Sequence, residues 1–598
     1  MMPPGAPSPS LAIRLAALLA GPRLPWLAAA LGVACCLPAL GAGLVGDDFL
    51  WWVELQRQGP LGGGLPPILH LYAFVPGGLP MDVLRGQGVV SWWADPDLAI
   101  ALLRPLAAAT HVLDHALWPR GFALQHAHSL LWYGLAILVA AALLRRARAG
   151  AAAGLAALLF AVDDAHAMNA GWLANRHALL CLVAGGLAVL AHLRWRAGAG
   201  RRWLVLSLAW LAAGLACGEA TLGAAAYLVA WQLCLDRGPW RRRALGMLPA
   251  ALLVGAWHLA YKVLGYGVVG SGLYLDPGRD PAAFLRALVE RWPLLMLGQW
   301  LQAPIDAYLL ISEADHLRAL LCALPLCALL AWYLAPLLRG SAEARFWLLG
   351  SSLATVPLCA AFPMDRLLVF TGLGAFALLA QMAAAHGWLG AAPSCSLGRW
   401  RRWLTVGLLV LHGPLAALML AGRTAGLPFF GEAFRAGADR GPSDPAVEEQ
   451  VLVFVTGHEF PVAYLPVIRQ VEGGPVPARV ALLASFIGGS EVRREDARTL
   501  VVRMEHGWLW QQPDRLERAG TPFRVGDVAV MPDYRATVRA TTADGRPAEV
   551  AFTFTRPLED PLYRWLAWGP AGPEPFALPA AGETVGLPAR DATSLLPP

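Results

Sequence analysis

Residues 43–52 read GLVGDDFLWW: an apolar run that begins near residue 24 ends here, two carboxylates follow, and a pair of tryptophans comes directly after. Acids are costly in hydrocarbon, so Asp47 and Asp48 mark where a membrane segment stops and an interface begins. Apolar runs of about 20 residues recur from there to roughly residue 420. With 598 residues, 57% of them hydrophobic and only 15% charged, the chain reads as a polytopic α-helical membrane protein. The run 24–45 is too long for a signal peptide core and reads as an uncleaved first span.

Five arginine-rich stretches punctuate the runs: RRAR at 145–148, RWRAGAGRR at 194–202, RGPWRRR at 237–243, RGSAEAR at 339–345 and RWRR at 399–402. Basic short loops face the cytoplasm. Between them fall the acid-bearing turns, at Asp47 and Asp48, Asp163 and Asp164, Glu219, Asp276 and Asp365, which belong to the other side. About eleven spans satisfy this alternation when 292–311 is read as a re-entrant or surface helix. The resulting plan is a cytoplasmic tail at 1–23, a membrane body at 24–424 with a large outer loop at 46–120, and an extracytoplasmic domain at 425–598. The setting is read as a bacterial inner membrane.

The net charge of +6 comes from arginines in loops, so the basic balance serves orientation and no nucleic-acid partner is expected. Eight of nine cysteines, Cys35 to Cys359, lie in or beside apolar runs, and Cys395 sits in a basic loop, which supports neither a disulfide framework nor a zinc spacing. After about residue 445 the pattern changes to strand-like runs, QVLVFVTG, ARVALLASF and TLVVRMEHGWLW, and a hairpin centred on Asp544-Gly545. This tail reads as a β-sandwich-like domain in which Trp508 and Trp510 either fill the core or bind glycan. Trp51, Trp52, Trp92 and Trp93 read as anchors of the outer loop at headgroup level.

Charged residues gather on the acid-bearing side. VDDAHAMNAGWLANRHALL carries Asp163, Asp164, His166, Asn169, Asn175, Arg176 and His177; helical spacing there puts Trp172 and Arg176 on one face. LLRPLAAATHVLDHALWP supplies Arg104, His111, Asp114 and His115. Glu219 interrupts the run before the sixth span, Lys262 is the chain's only lysine, and FPMDRLLVF adds Asp365 and Arg366. Each cation could merely snorkel, whereas several together suit a grip on phosphate.

The order of these motifs resembles the GT-C membrane glycosyltransferases, closest to the branch of protein O-mannosyltransferases and transmembrane, tetratricopeptide-repeat mannosyltransferases. The residues that carry the likeness are the acidic pair opening a long loop, RPL with a downstream LDHALWP, the series His166, Met168, Trp172, Arg176 and Leu179-Leu180, and the lone Glu219. The resemblance spans roughly residues 24–390. It departs where relatives often read His-Pro and this chain has Asp163-Asp164, and the tail lacks tetratricopeptide periodicity.

The resemblance implies inverting transfer of a sugar from a polyprenyl-phosphate donor to a protein or glycan acceptor on the extracytoplasmic side. Asp47 would be the general base and Asp48 its support. Arg176, Lys262, Arg366 and Arg104 would hold the donor phosphate, with Asp163, Asp164, His166, Trp172 and Glu219 around the substrates. The chemistry requires no cofactor; Asp47, Asp48, Asp163, Asp164 and His166 are the alternative set for a hard divalent cation. A multi-pass transporter or flippase is the competing class, and it calls for mid-span charges and inverted repeats, neither of which the sequence displays.

Overall fold

The computed structural model describes residues 11–56, 66–77, 80–86, 90–148, 150–310, 313–389, 398–485, 488–510, 512–520 and 522–590. Every expected span contains a helix, and the chain is an integral membrane protein by its apolar helices. Among the described residues five helices are long and apolar enough to cross a membrane, or up to seven if each bent pair forms one span. Others are shorter, such as Leu222–Cys234 and Ala342–Thr355. The segment before residue 24 is not simply a tail. Leu11–Ala20 is an apolar helix set at 86° to Leu24–Cys35. It lies so close to Ala151–Ala161 that a Cβ at Gly154 would overlap the Leu19 carbonyl oxygen, the small-residue packing that lets helices approach in lipid.

Residues 292–311 take a form that hydropathy does not convey. Pro281–Leu301 is one helix, started by Pro281 and by Asp280, whose carboxylate accepts from the Ala283 amide at 2.8 Å. Gln302, with φ of 50°, ends it, and a 3-10 turn follows at Ile305–Leu310. Leu295 and Trp300 are buried in the bundle, so this helix is not a surface element. The last helical path, Arg399–Val410, continues through a π turn at Leu411–Leu415 that accommodates Pro414, then Ala416–Ala425 and Leu427–Arg440. It thus runs past the expected boundary at residue 424.

The carboxyl-terminal region is sheet-rich, built from two sheets and a crossover helix. Strand Val451–Gly457 lies between Arg479–Ser485 and Tyr563–Gly569 and is parallel to both, with helix Glu459–Glu472 linking the first pair as a βαβ unit; Gly572–Pro575 adds an antiparallel edge. A six-stranded antiparallel sheet, including the expected hairpin of Tyr534–Thr541 and Pro547–Phe554, packs on one face of this sheet. Val451, Val453 and Val455 point into that interface, whereas Leu452 and Phe454 join Val462, Leu465 and Ile468 of the crossover helix on the other.

The outer loop is locked into this region. Trp92 and Trp93 are buried in the core between the two sheets, with Trp92 edge-on to Trp508 and its Nε1 donating to the Leu483 carbonyl at 3.0 Å. Trp51 packs against Tyr72 and His111, and Trp52 donates to the Pro119 carbonyl at 2.9 Å. The four tryptophans expected at headgroup level are therefore core residues: the two sheets of the tail enclose Trp92 and Trp93, Trp51 packs within the membrane body, and Trp52 lies at the seam with the tail. Trp508 is likewise core, while Trp510 is exposed and lies against His506. The eight described cysteines are free, and Cys395 lies outside the described residues.

Candidate active site

Asp47 opens the helix Asp47–Leu55, directly after Gly46, whose φ of 52° suits a residue without Cβ. A Cβ at Gly46 would press on the Phe434 ring at 3.3 Å. Phe434 packs edge-on against Tyr464 of the crossover helix, and the Tyr464 hydroxyl donates to Asp47 Oδ1. Burial raises the Asp47 pKa above the ordinary carboxylate value; the Tyr464 hydrogen bond and the nearby Arg366 guanidinium pull it back. A half-buried carboxylate with a raised pKa, held by one phenol and facing one cation, is suited to accept a proton.

Arg366 stands out among the candidate cations. Its guanidinium lies 5.1 Å from the Trp172 ring centroid and 6.0 Å from that of Phe362, beside Tyr274, and among the described residues it makes no ion pair. It lines a small cavity of about 30 Å³ with Asn175, His177, Leu358 and Phe370. Trp172 is fixed by its own Nε1, which donates to the Val45 carbonyl at 2.9 Å, so indole and guanidinium form a stacked pair beside Asp47.

The other expected phosphate ligands are occupied. Arg176 is wholly buried: it pairs with Asp114 at 2.6 Å and donates to Ser129, to Thr110 and to the Gln125 carbonyl. The protein holds its guanidinium as a buried anchor. Trp172 and Arg176 do not share a helical face, because the chain turns through a 3-10 segment at Leu173–Asn175 before helix His177–Arg196 begins. Lys262 pairs with Asp276. Arg104 pairs with Glu219 at 2.8 Å and stacks over Tyr72, while the other Glu219 oxygen accepts from Tyr261 at 2.9 Å, so each already has protein partners.

Asp48 is likewise held by the protein. Its Oδ2 accepts from the Val45 amide at 3.1 Å, closing the local turn, and its Oδ1 from the Ala174 amide at 2.8 Å, tying the start of the outer loop to Ala174. Asp163 accepts from Gln299 at 3.1 Å and His166 is buried against Phe160 and Tyr133. Asp164 belongs to a cluster centred on Arg423, which reaches Asp164 at 2.9 Å, Asp306 at 2.6 Å and Asp365 at 2.7 Å. These contacts brace the bundle. The five candidate cation ligands do not converge, and among the described residues no group of three or more His, Cys, Asp or Glu is arranged to hold a metal.

Tyr464 and Arg423 escaped the sequence reading. Arg423 had a signal, as a lone cation at the end of the last span opposite RWRR and so on the acid-bearing side. Tyr464 had only the amphipathic period of 459–472, which does not say what its polar face meets.

No family model matches the chain, and no curated protein is similar to it in sequence. Solved structures similar to it include the following three. The archaeal oligosaccharyltransferase AglB from Archaeoglobus fulgidus, in complex with an inhibitory peptide and a dolichol-phosphate, has a TM-score of 0.38 and 10% identity over 77% of this chain and 65% of that one. The Archaeoglobus fulgidus oligosaccharyltransferase tethered with an acceptor peptide has a TM-score of 0.39 and 13% identity over the same shares. ArnT from Cupriavidus metallidurans, bound to undecaprenyl phosphate, has a TM-score of 0.37 and 17% identity, covering 75% of this chain and 85% of that one. The chain spans 65% of the length of the two oligosaccharyltransferase structures. At this overlap the functional reading rests on the site.

Proposed function

We propose that the chain is a membrane glycosyltransferase that moves a sugar from a polyprenyl-phosphate donor to a hydroxyl of a protein or glycan acceptor, on the extracytoplasmic face of a bacterial inner membrane. Asp47 takes the acceptor proton as general base. The acceptor oxygen then attacks the anomeric carbon with inversion, the bond to phosphate breaks, and Arg366 stabilises the charge gathering on the leaving phosphate. The observation that carries this reading is the pairing, at the seam between membrane body and tail, of a carboxylate whose pKa burial raises with a cation free of any ion pair among the described residues. Asn175 and His177, beside Arg366, are suited to contact the same phosphate. The mannosyltransferase likeness of the motifs makes polyprenyl-phosphate mannose the first donor to try.

The test is transfer from polyprenyl-phosphate mannose and related donors by purified protein in detergent. Asp47→Asn keeps the size of the side chain and removes its basicity, so turnover should fall about 100- to 10,000-fold while the protein inserts and purifies normally. Arg366→Ala should raise the donor KM, and Arg366→Lys should restore part of it, since charge survives but the planar fork does not. Transfer at near wild-type rate by folded Asp47→Asn protein rejects the base assignment.

A further inference from the structure

On the arginine-rich side of the bundle lies a second cavity, of about 260 Å³, distinct from the one beside Arg366. Protein interiors leave few voids larger than a water, and an apolar cavity of about 150 Å³ already binds benzene, so a space of this size is built to be filled. Its walls are apolar: Leu143, Val189, Leu193, Trp231, Trp347 and Leu373, drawn from five helices. Along helix Leu222–Cys234 it extends from Ala224 to Leu235, about 16 Å at the helical rise, or roughly the hydrocarbon depth of one leaflet.

One end is charged. Arg146 and Arg196 line it where helices Phe122–Ala147 and His177–Arg196 finish. Arg196 pairs with Asp236, whereas Arg146 is exposed and makes no ion pair among the described residues; Arg243, holding the Gln232 carbonyl, stands nearby at the start of the next helix. The three arginines and one aspartate leave this mouth positive. An apolar slot one leaflet deep with a cationic rim matches an amphiphile with an anionic head and a long chain.

We infer that this cavity takes one acyl chain of an anionic phospholipid from the leaflet on the arginine-rich side, with the lipid phosphate at Arg146, the rim cation that makes no ion pair among the described residues. The site is separate from the proposed catalytic one, since Phe370 stands as the wall shared by the two cavities and Arg366 lies beyond it. The inference does not depend on the reaction proposed above. A bound lipid would complete the packing between helices Leu222–Cys234 and Val369–Ala385 and so tie bundle order to membrane composition.

The experiment is photocrosslinking in nanodiscs with phosphatidylglycerol or phosphatidylcholine carrying a diazirine on one acyl chain, read by peptide mass spectrometry. Phosphatidylglycerol should label the peptides holding Val189, Leu193 and Leu373, about tenfold more than phosphatidylcholine does. Arg146→Glu, an exposed change, should bring the two lipids to similar levels, and Leu193→Trp should fill the slot and abolish labelling. Equal labelling by both lipids in the native protein, no labelling of these peptides, or an Arg146→Glu protein that still prefers phosphatidylglycerol overturns the inference. So does labelling of the slot by a diazirine-bearing polyprenyl phosphate that phosphatidylglycerol fails to displace, which would give the space to the donor chain.

Discussion

Replacing Tyr464 by Phe removes one oxygen from the seam between tail and membrane body, and its effect on the pH profile can be worked out beforehand. The phenol donates to Asp47 Oδ1, a bond that favours the charged carboxylate and opposes the upward pull of burial. A hydrogen bond to a charged group contributes about 1.5–3 kcal/mol, and one pKa unit corresponds to about 1.36 kcal/mol, so the Asp47 pKa should rise by about one to two units in the variant. A general base works only when unprotonated. The acid limb of kcat/KM should therefore move to higher pH by that amount, with activity recovering on the alkaline side of the shifted limb. The Phe ring keeps the packing against Phe434, so the tail should stay docked. The assay is sugar transfer across pH in detergent, with wild type in parallel. An acid limb that stays in place or moves down, or a loss uniform across pH, refutes the coupling and leaves Tyr464 as an anchor of the tail.

Arg176→Ala takes from buried Asp114 its arginine partner, leaving only His128, and should destabilise the protein by up to about 3 kcal/mol in a detergent melt, while donor KM of the folded fraction stays unchanged. Trp92→Ala empties a ring-sized space between the two sheets and should cost about 3–5 kcal/mol, seen as faster proteolysis of the tail with the membrane helices intact. A reporter active only outside the cytoplasm should be active when fused after residue 430 and silent when fused near residue 240; the opposite pattern sinks the outer-face site.

Much of the membrane body was legible in one dimension. Hydropathy placed a helix within each expected span because the bilayer enforces backbone pairing within every span, and local residue content is enough to satisfy that rule. Its failures lie where helices do not obey a simple span. The bend after Ala20, the reversal at Gln302 and the continuation past residue 424 depend on neighbouring helices that no local window includes. In the tail the strands were legible, whereas the parallel pairing of VLVFVTG on both sides and its cover on both faces came only with the fold.

The candidate site divides along the same line. Residue types and their order were enough to bring Asp47 and Arg366 forward, since an acid at a span end and a cation in a tight turn are costly unless something uses or satisfies them. Whether a charge is spent was decided only in three dimensions. Arg176 and Arg366 look equivalent in sequence, yet one meets Asp114, which lies 62 positions earlier, and the other meets two aromatic rings and no acid within pairing distance among the described residues. Asp47 and Asp48 are adjacent, yet the helix they open turns one toward Tyr464, more than 400 residues away, and the other onto two backbone amides. Sequence spacing specifies which residues can share a face; the ion pairs and hydrogen bonds that saturate a charged group come from distant segments, and only the packed fold chooses them.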